Sequence, residues 1–529
     1  MKRSLLTILF VLLHVVVLHA QLPSAGESPI FKEPGSGYAR VLKMKNGHTI
    51  FVQITPKDGI YVDIYDESYK PVVQTHESTV FGNLKGSCVN AIFEANGDIV
   101  VFISEVETRQ PILYRIILDG RSGRMKRDEK LAETMRYPYL DQPFIPEYKP
   151  VSSFFIRKDP NSDNYAMVML HANDKSVKAN LEVIWYNGTH KEISRAYYQS
   201  KESPFKNINY LDMAVFGEDQ VCLIAYIFNQ TSAGDKKGAM IMATLRRDAD
   251  TLIVDRLNVG VRKVIDSGLV KINPVTKKIM FLGYAHAEAG DTEKYAGIMG
   301  IIDPYRKTPE QEIDIYPAKA DAKKKALAKK AFTGAPQQLF IHKDGGFSVV
   351  YEELTRKVVT PLNSAPYSYC TLDWISVGSF DVTGKPLYEC VVPRSQELQK
   401  YDISAFNADR VASGAQPLIK GEQFRTAAFF QHNDKVYVMM NNTETNLEKG
   451  AKGKPHDFRG VNDTKAYYYE CDGSNELPAY KPVFKTDSTV NHSFIPGVCA
   501  YDEEKGRLII LKMDKKSDQK GMRVVWLRP

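Results

Sequence analysis

Polar turns rich in Asn, Asp and Gly alternate with short apolar strands about eight times along this chain. Asn46-Gly47 leads into the run 49–55, Asn96-Gly97 into 98–104, Asp344-Gly345 into 347–352 and Asn433-Asp434 into 436–441. Period-two alternation bounded by such turns predicts strands joined as hairpins. The first unit reads as strands at 39–42, 49–55, 60–65 and 72–73, and the second as 90–93, 99–104 and 113–118, closed by Asp119-Gly120. Sparser units follow at 165–170 with 181–186, at 221–228 with 239–245, and at 279–284 with 297–302. The sixth is the fullest, at 338–341, 347–352, 372–380 and 387–392. The seventh has 427–431, 436–441 and 466–470, and the last has 497–501, 508–513 and 522–527.

A lone hairpin cannot bury its apolar face, so the series implies sheets packed on sheets. Radial repetition hides most strand edges that a row of separate hairpins would expose. The pattern therefore predicts an all-β fold: a β-propeller of seven or eight three- to four-stranded blades. The spacing is irregular, with excess length in the loops 229–238, 285–295, 355–369 and 443–463. A final unit of three strands suits a ring whose first mature strand completes the last blade. Two stacked β-sandwiches are the main alternative, and a β-solenoid would need shorter, more regular repeats.

One segment breaks the pattern. Residues 318–331 hold strong helix formers without a breaker, with Pro317 before them and Gly334 after. An inserted basic helix is expected there. Lys323, Lys324, Lys325, Lys329 and Lys330 are the candidate contacts for an anionic partner, against the simpler reading of a solvated helix bridging two blades.

Residues 1–20 read as a signal peptide, with Lys2 and Arg3 before a short apolar run and Ala20 at the cleavage position. Residues 21–37, rich in Pro, Gly and Ser, form an expected flexible lead-in, and 38–529 a single propeller domain. The leader implies export to the periplasm or exterior. No later apolar run is long enough to suggest a transmembrane segment. A formal charge of +7, or +5 without Lys2 and Arg3, is too mild a bias to suggest nucleic acid. Six cysteines (Cys88, Cys222, Cys370, Cys390, Cys471 and Cys499) permit three disulfides, but apolar neighbours favour buried free thiols.

Candidate chemistry is thin. There is no nucleophile elbow, metal-binding helix, phosphate-binding glycine loop or calcium loop, so no cofactor and no metal is expected. His286-Ala287-Glu288 reads as an exposed loop, and Asp502-Glu503-Glu504 as a hairpin turn. Glu352 and Glu353 are adjacent on a strand, so they point to opposite faces and cannot form one acid–base pair. Tyr467-Tyr468-Tyr469 and Phe429-Phe430 could stack on sugars where they face outward, although packing between blades explains them better.

The stretches 334–341, 347–353 and 113–120 resemble those of uncharacterised exported β-propeller-like repeat proteins of Gram-negative bacteria. That resemblance implies an envelope or secreted setting and no particular reaction. The favoured function is a non-catalytic binding or scaffolding propeller that recognises a protein, peptide or envelope glycan through loops at one mouth. The alternative is a carbohydrate-active hydrolase or lyase whose carboxylates meet at the central channel. Two carboxylates facing across an open cleft would favour the enzyme; a mouth lined by Lys, Ser and aromatic residues would favour binding.

Overall fold

The computed structural model describes residues 21–55, 58–78, 87–136, 153–171, 181–198, 205, 207–229, 238–261, 263–286, 295–359, 367–399, 403–458, 460–485, 490–516 and 519–529. The expected leader and residues 287–288 of the His286-Ala287-Glu288 motif lie outside the described residues.

Eight antiparallel sheets form an eight-bladed propeller. Blade 1 comprises Gly37–Lys43, Thr49–Thr55, Gly59–Tyr65 and Pro71–Glu77; blade 2 comprises Cys88–Ala95, Asp98–Glu107, Gln110–Asp119 and Met125–Glu133. Blade 3 is Phe154–Lys158, Tyr165–Leu170, Leu181–Tyr186 and Glu192–Tyr198, and blade 4 is Asn207–Phe216, Gln220–Phe228, Gly238–Arg246 and Ile253–Arg256. Blade 5 is Val264–Ile272, Ile279–His286, Tyr295–Ile302 and Gln311–Ile315. Blade 6 is Ala335–Ile341, Phe347–Val359, Tyr367–Phe380 and Pro386–Val392, with Gln396–Gln399 paired to its long third strand. Blade 7 is Ala427–His432, Lys435–Asn442, Lys465–Cys471 and Tyr480–Pro482. Blade 8 is Asn491–Asp502, Arg507–Lys516 and Gln519–Leu527, completed by Ser24–Glu27.

That last pairing bears out the expected completion of the final blade by the first mature strand and corrects the reading of the lead-in. Part of the supposed flexible lead-in is a strand, with Ser24 opposite Leu527 and Glu27 opposite Val525. Two ends of the chain thus share one sheet, and ladder hydrogen bonds hold the ring shut.

Closure is equally visible in the core. Separate apolar clusters fill every junction between neighbouring blades: 1–2, 2–3, 3–4, 4–5, 5–6, 6–7, 7–8 and 8–1. Each blade is therefore buried on both faces, which overrides the one-sided alternation of a simple two-layer sheet. Tyr467 and Tyr469 pack into the 6–7 core and Tyr468 into the 7–8 core, so packing between blades accounts for the tyrosine triplet. Phe430 is buried likewise. All six cysteines are free, five of them buried. Burial pushes the Cys88 and Cys222 thiols up to about 12.

Three helices of more than one turn occur among the described residues: α1, Ala318–Ala328; α2, Asn407–Ser413; and α3, Glu444–Ala451. Helix α1 is the one the sequence foresaw. None is long and apolar enough to cross a membrane.

Candidate functional site

The first strand of each blade is the innermost. Those of blades 4 and 5, 8 and 1, 1 and 2, 2 and 3, 3 and 4, and 7 and 8 touch one another around the axis. Helix α2, in the segment between blades 6 and 7, contacts the first strands of blades 2, 6 and 8. It also bonds to those of blades 1, 3 and 5 through Arg40, Arg157 and Lys271. A seven-residue helix can reach six of eight blades only from the axis, so α2 plugs the central channel.

Local chemistry holds the plug in place. Phe406, just before α2, is buried in the 5–6 core at φ 61°, a left-handed backbone that a bulky residue adopts only when its surroundings hold it there. Its N–H donates to the Pro336 carbonyl at 2.8 Å. Gly414 ends the helix where an added Cβ would lie 2.7 Å from the Val89 carbonyl oxygen. Beyond it, Gln416–Leu418 adds a strand to the axial edge of blade 1.

An ion cluster pins α2 to the ring. Arg157 of blade 3 grips Asp212 of blade 4 through Nε (2.7 Å) and Nη2 (3.0 Å). It also donates to Asp409 of α2 at 2.9 Å and to the Ser413 hydroxyl at 2.8 Å. Lys271 of blade 5 donates to the other Asp409 oxygen at 2.8 Å. Burial by itself would raise the Asp409 carboxyl, but the Lys271 and Arg157 charges override it and hold the group well below the usual carboxylate range. Asp212 also accepts the Val270 N–H at 2.8 Å and the Tyr210 hydroxyl at 3.2 Å. Both its oxygens are engaged, which leaves it no role as a free acid or base.

Cavities lie against the plug, two of them at opposite ends of the inner strands. The larger, about 470 Å³, lies toward the C-terminal ends of the inner strands. Arg40, Lys43, Arg157, Lys158 and Lys271 line it, and Glu94 is the one carboxylate among the described residues of its wall. Ser413, Phe93 and Tyr501 complete the polar and aromatic lining. Lys43 pairs with Asp502 at 3.3 Å, and Lys158 donates to the Asp159 carbonyl at 3.1 Å. Burial lowers the Lys158 ammonium and raises the Glu94 carboxyl. The smaller cavity, about 270 Å³, lies at the opposite ends of the same strands, against Arg410, Phe155, Asn90, Asn209 and Asp266.

The residues singled out from sequence sit elsewhere. Lys324 is only 4% exposed, ion-paired to Glu353 and Asp373, and so cannot meet an external anion. It is removed from the proposed contact set because its charge already holds a buried carboxylate. Lys323 pairs with Glu476, and Lys325 with Asp321. Lys329 caps the helix in a left-handed conformation, with exposed Lys330 beside it. Glu352 and Glu353 do point apart: Glu352 meets the fully buried Arg394, while Glu353 also accepts the Thr333 N–H at 2.9 Å. Asp502 caps its hairpin by accepting the Lys505 N–H at 3.1 Å.

Among the described residues, no group of three or more His, Cys, Asp or Glu could hold a metal ion. The channel residues escaped the sequence reading because they come from six blades and an insertion. Their faint signal was charge inside inner strands, as in Phe154-Phe155-Ile156-Arg157-Lys158, together with the long interval between Val392 and Ala427.

No family model matches the chain, and no curated protein matches it either. Solved structures do show similarity. Polysaccharide lyase Uly1 is 11% identical over 86% of this chain and 92% of its own, with a TM-score of 0.40. An uncharacterized protein from Listeria monocytogenes EGD-e is 11% identical over 79% of this chain and 94% of its own, with a TM-score of 0.34. The alpha-L-arabinanase of Cellvibrio cellulosa is 11% identical over 53% of this chain and 96% of its own, with a TM-score of 0.24. At such identity and overlap these likenesses carry no chemical information about this chain.

Proposed function

We propose that this protein is a non-catalytic binding propeller that takes an anionic group of a protein, peptide or glycan into the larger channel cavity. The observation that carries the reading is the wall itself: five cations from three blades against one carboxylate, in a recess large enough for a ligand. Cations gathered in a low-dielectric recess raise the local concentration of anions and supply charge-assisted hydrogen bonds. Facing carboxylates, which sugar hydrolysis would use, are not what lines it. The leader reading supports action in the periplasm or outside the cell, among uncharacterised exported relatives. N-terminal sequencing of the protein recovered from those fractions tests that setting.

One observation favours a second reading. Glu94 and Lys158 share the cavity, and burial moves their proton affinities in opposite directions, toward each other. Such a pair suits acid–base chemistry in a carbohydrate-active enzyme. A single experiment separates the two readings: calorimetric titration at low and high salt with trigalacturonate, an acidic peptide and a neutral trisaccharide, followed by product analysis. Binding predicts salt-sensitive affinity for the anions, about five- to tenfold weaker in Lys43→Gln, and no new reducing ends or unsaturated sugars. Product that disappears in Glu94→Gln establishes the enzyme instead.

A further inference from the structure

The smaller cavity holds a second, independent cluster. Arg410 projects from α2 into it and is exposed there, although it lies on the axis of the ring. Its nitrogens donate to the Ser267 hydroxyl at 3.1 Å and the Ser404 hydroxyl at 3.3 Å. No carboxylate lies within ion-pair distance of it among the described residues. The nearby Asp212 and Asp409 are already engaged by Arg157 and Lys271. An under-neutralised guanidinium in a recess is a site where an anion relieves repulsion and gains a forked hydrogen bond.

The surroundings specify more than charge. Phe155, half-buried, lies along the wall with its ring 4.1 Å from that of Tyr210 and stacked on it. Such an apolar plate suits the C–H face of a sugar ring. Asn90 adds its amide to the wall, where it donates to the Phe154 carbonyl at 3.3 Å. Asn209 and Asp266 add further polar groups. At about 270 Å³ the recess corresponds to roughly nine waters, room for one hexose-sized ring.

We infer that this cavity is a binding subsite for a single uronic-acid residue, its carboxylate on Arg410 and its apolar face on Phe155. A neutral sugar would leave the guanidinium unmatched, and a bare anion would leave Phe155 unused. The site stands on residues that the larger cavity does not use, so either assignment can fail alone.

Titration of the full chain with galacturonate and with its methyl ester, followed by calorimetry and by NMR of the ligand, tests the inference. The acid should bind at least about tenfold more tightly than the ester. Arg410→Gln should remove that preference, and Phe155→Ala should weaken acid and ester alike. Melting curves of each variant within about 1 °C of the parent certify folding. Equal affinity for acid and ester, or a galacturonate isotherm unchanged in a folded Arg410→Gln protein, would overturn the assignment.

Discussion

Replacing Asp409 with Asn asks whether the plug is a counter-ion as well as a stopper. The carboxylate is 3% exposed and neutralises two cations at 2.8 and 2.9 Å. Breaking a buried ion pair costs about 3–5 kcal/mol when one charge is left bare. Here Arg157 keeps its forked grip on Asp212, and Lys271 is about one-third exposed, so the cost should fall to about 2–3 kcal/mol. Unfolding entropy for a chain of this length is near 1 kcal/mol per °C, which translates into a melting midpoint lower by about 2–3 °C. Binding should move the other way. An anion hydrogen-bonded to Lys271 would sit about 5–6 Å from Asp409, where the repulsion is roughly 0.8 kcal/mol with bulk-water screening and about 3 kcal/mol at an effective dielectric of 20. Removing it should tighten trigalacturonate by at least about fourfold at low salt, with less gain at high salt. Calorimetry of parent and variant, alongside melting curves, measures both. A variant that melts lower but binds no more tightly would refute a cationic site in the larger cavity.

Two further outcomes follow from buried charge. Arg394→Met should strand Glu352, lowering the melting midpoint by about 3–5 °C, while adding Glu352→Gln should recover most of that loss; a double variant as unstable as the single one would count against the pairing. Glu105 is completely buried with both carboxyl oxygens unpartnered, and burial, with Glu107 nearby, lifts its pKa to about 7. A raised carboxyl favours the folded state at low pH, so the parent should lose up to about 3 kcal/mol as pH climbs from about 4.5 to about 7. Glu105→Gln should hold its melting midpoint across that window, and parallel decline in both proteins would contradict the burial.

The strands were legible because hairpin pairing is local. Turn residues and period-two alternation act over a few positions, so all eight units, and most strands of the sixth, seventh and eighth, could be placed from the chain alone. Helix α1 announced itself for the same reason. Burial on both blade faces was not local: whether Tyr468 meets water depends on the neighbouring blade, not on its position in the strand. Ser24–Glu27 looked loose because its partner lies about 500 residues away. The channel was least legible of all. Arg157, Asp212, Lys271 and Asp409 are scattered along the sequence, and only closure of the ring brings their charges within hydrogen-bonding distance. Local propensity therefore fixed the repeating unit and its approximate number, whereas the fate of each charge was set by long-range packing, since electrostatic energy depends on distance in space and on exclusion of water.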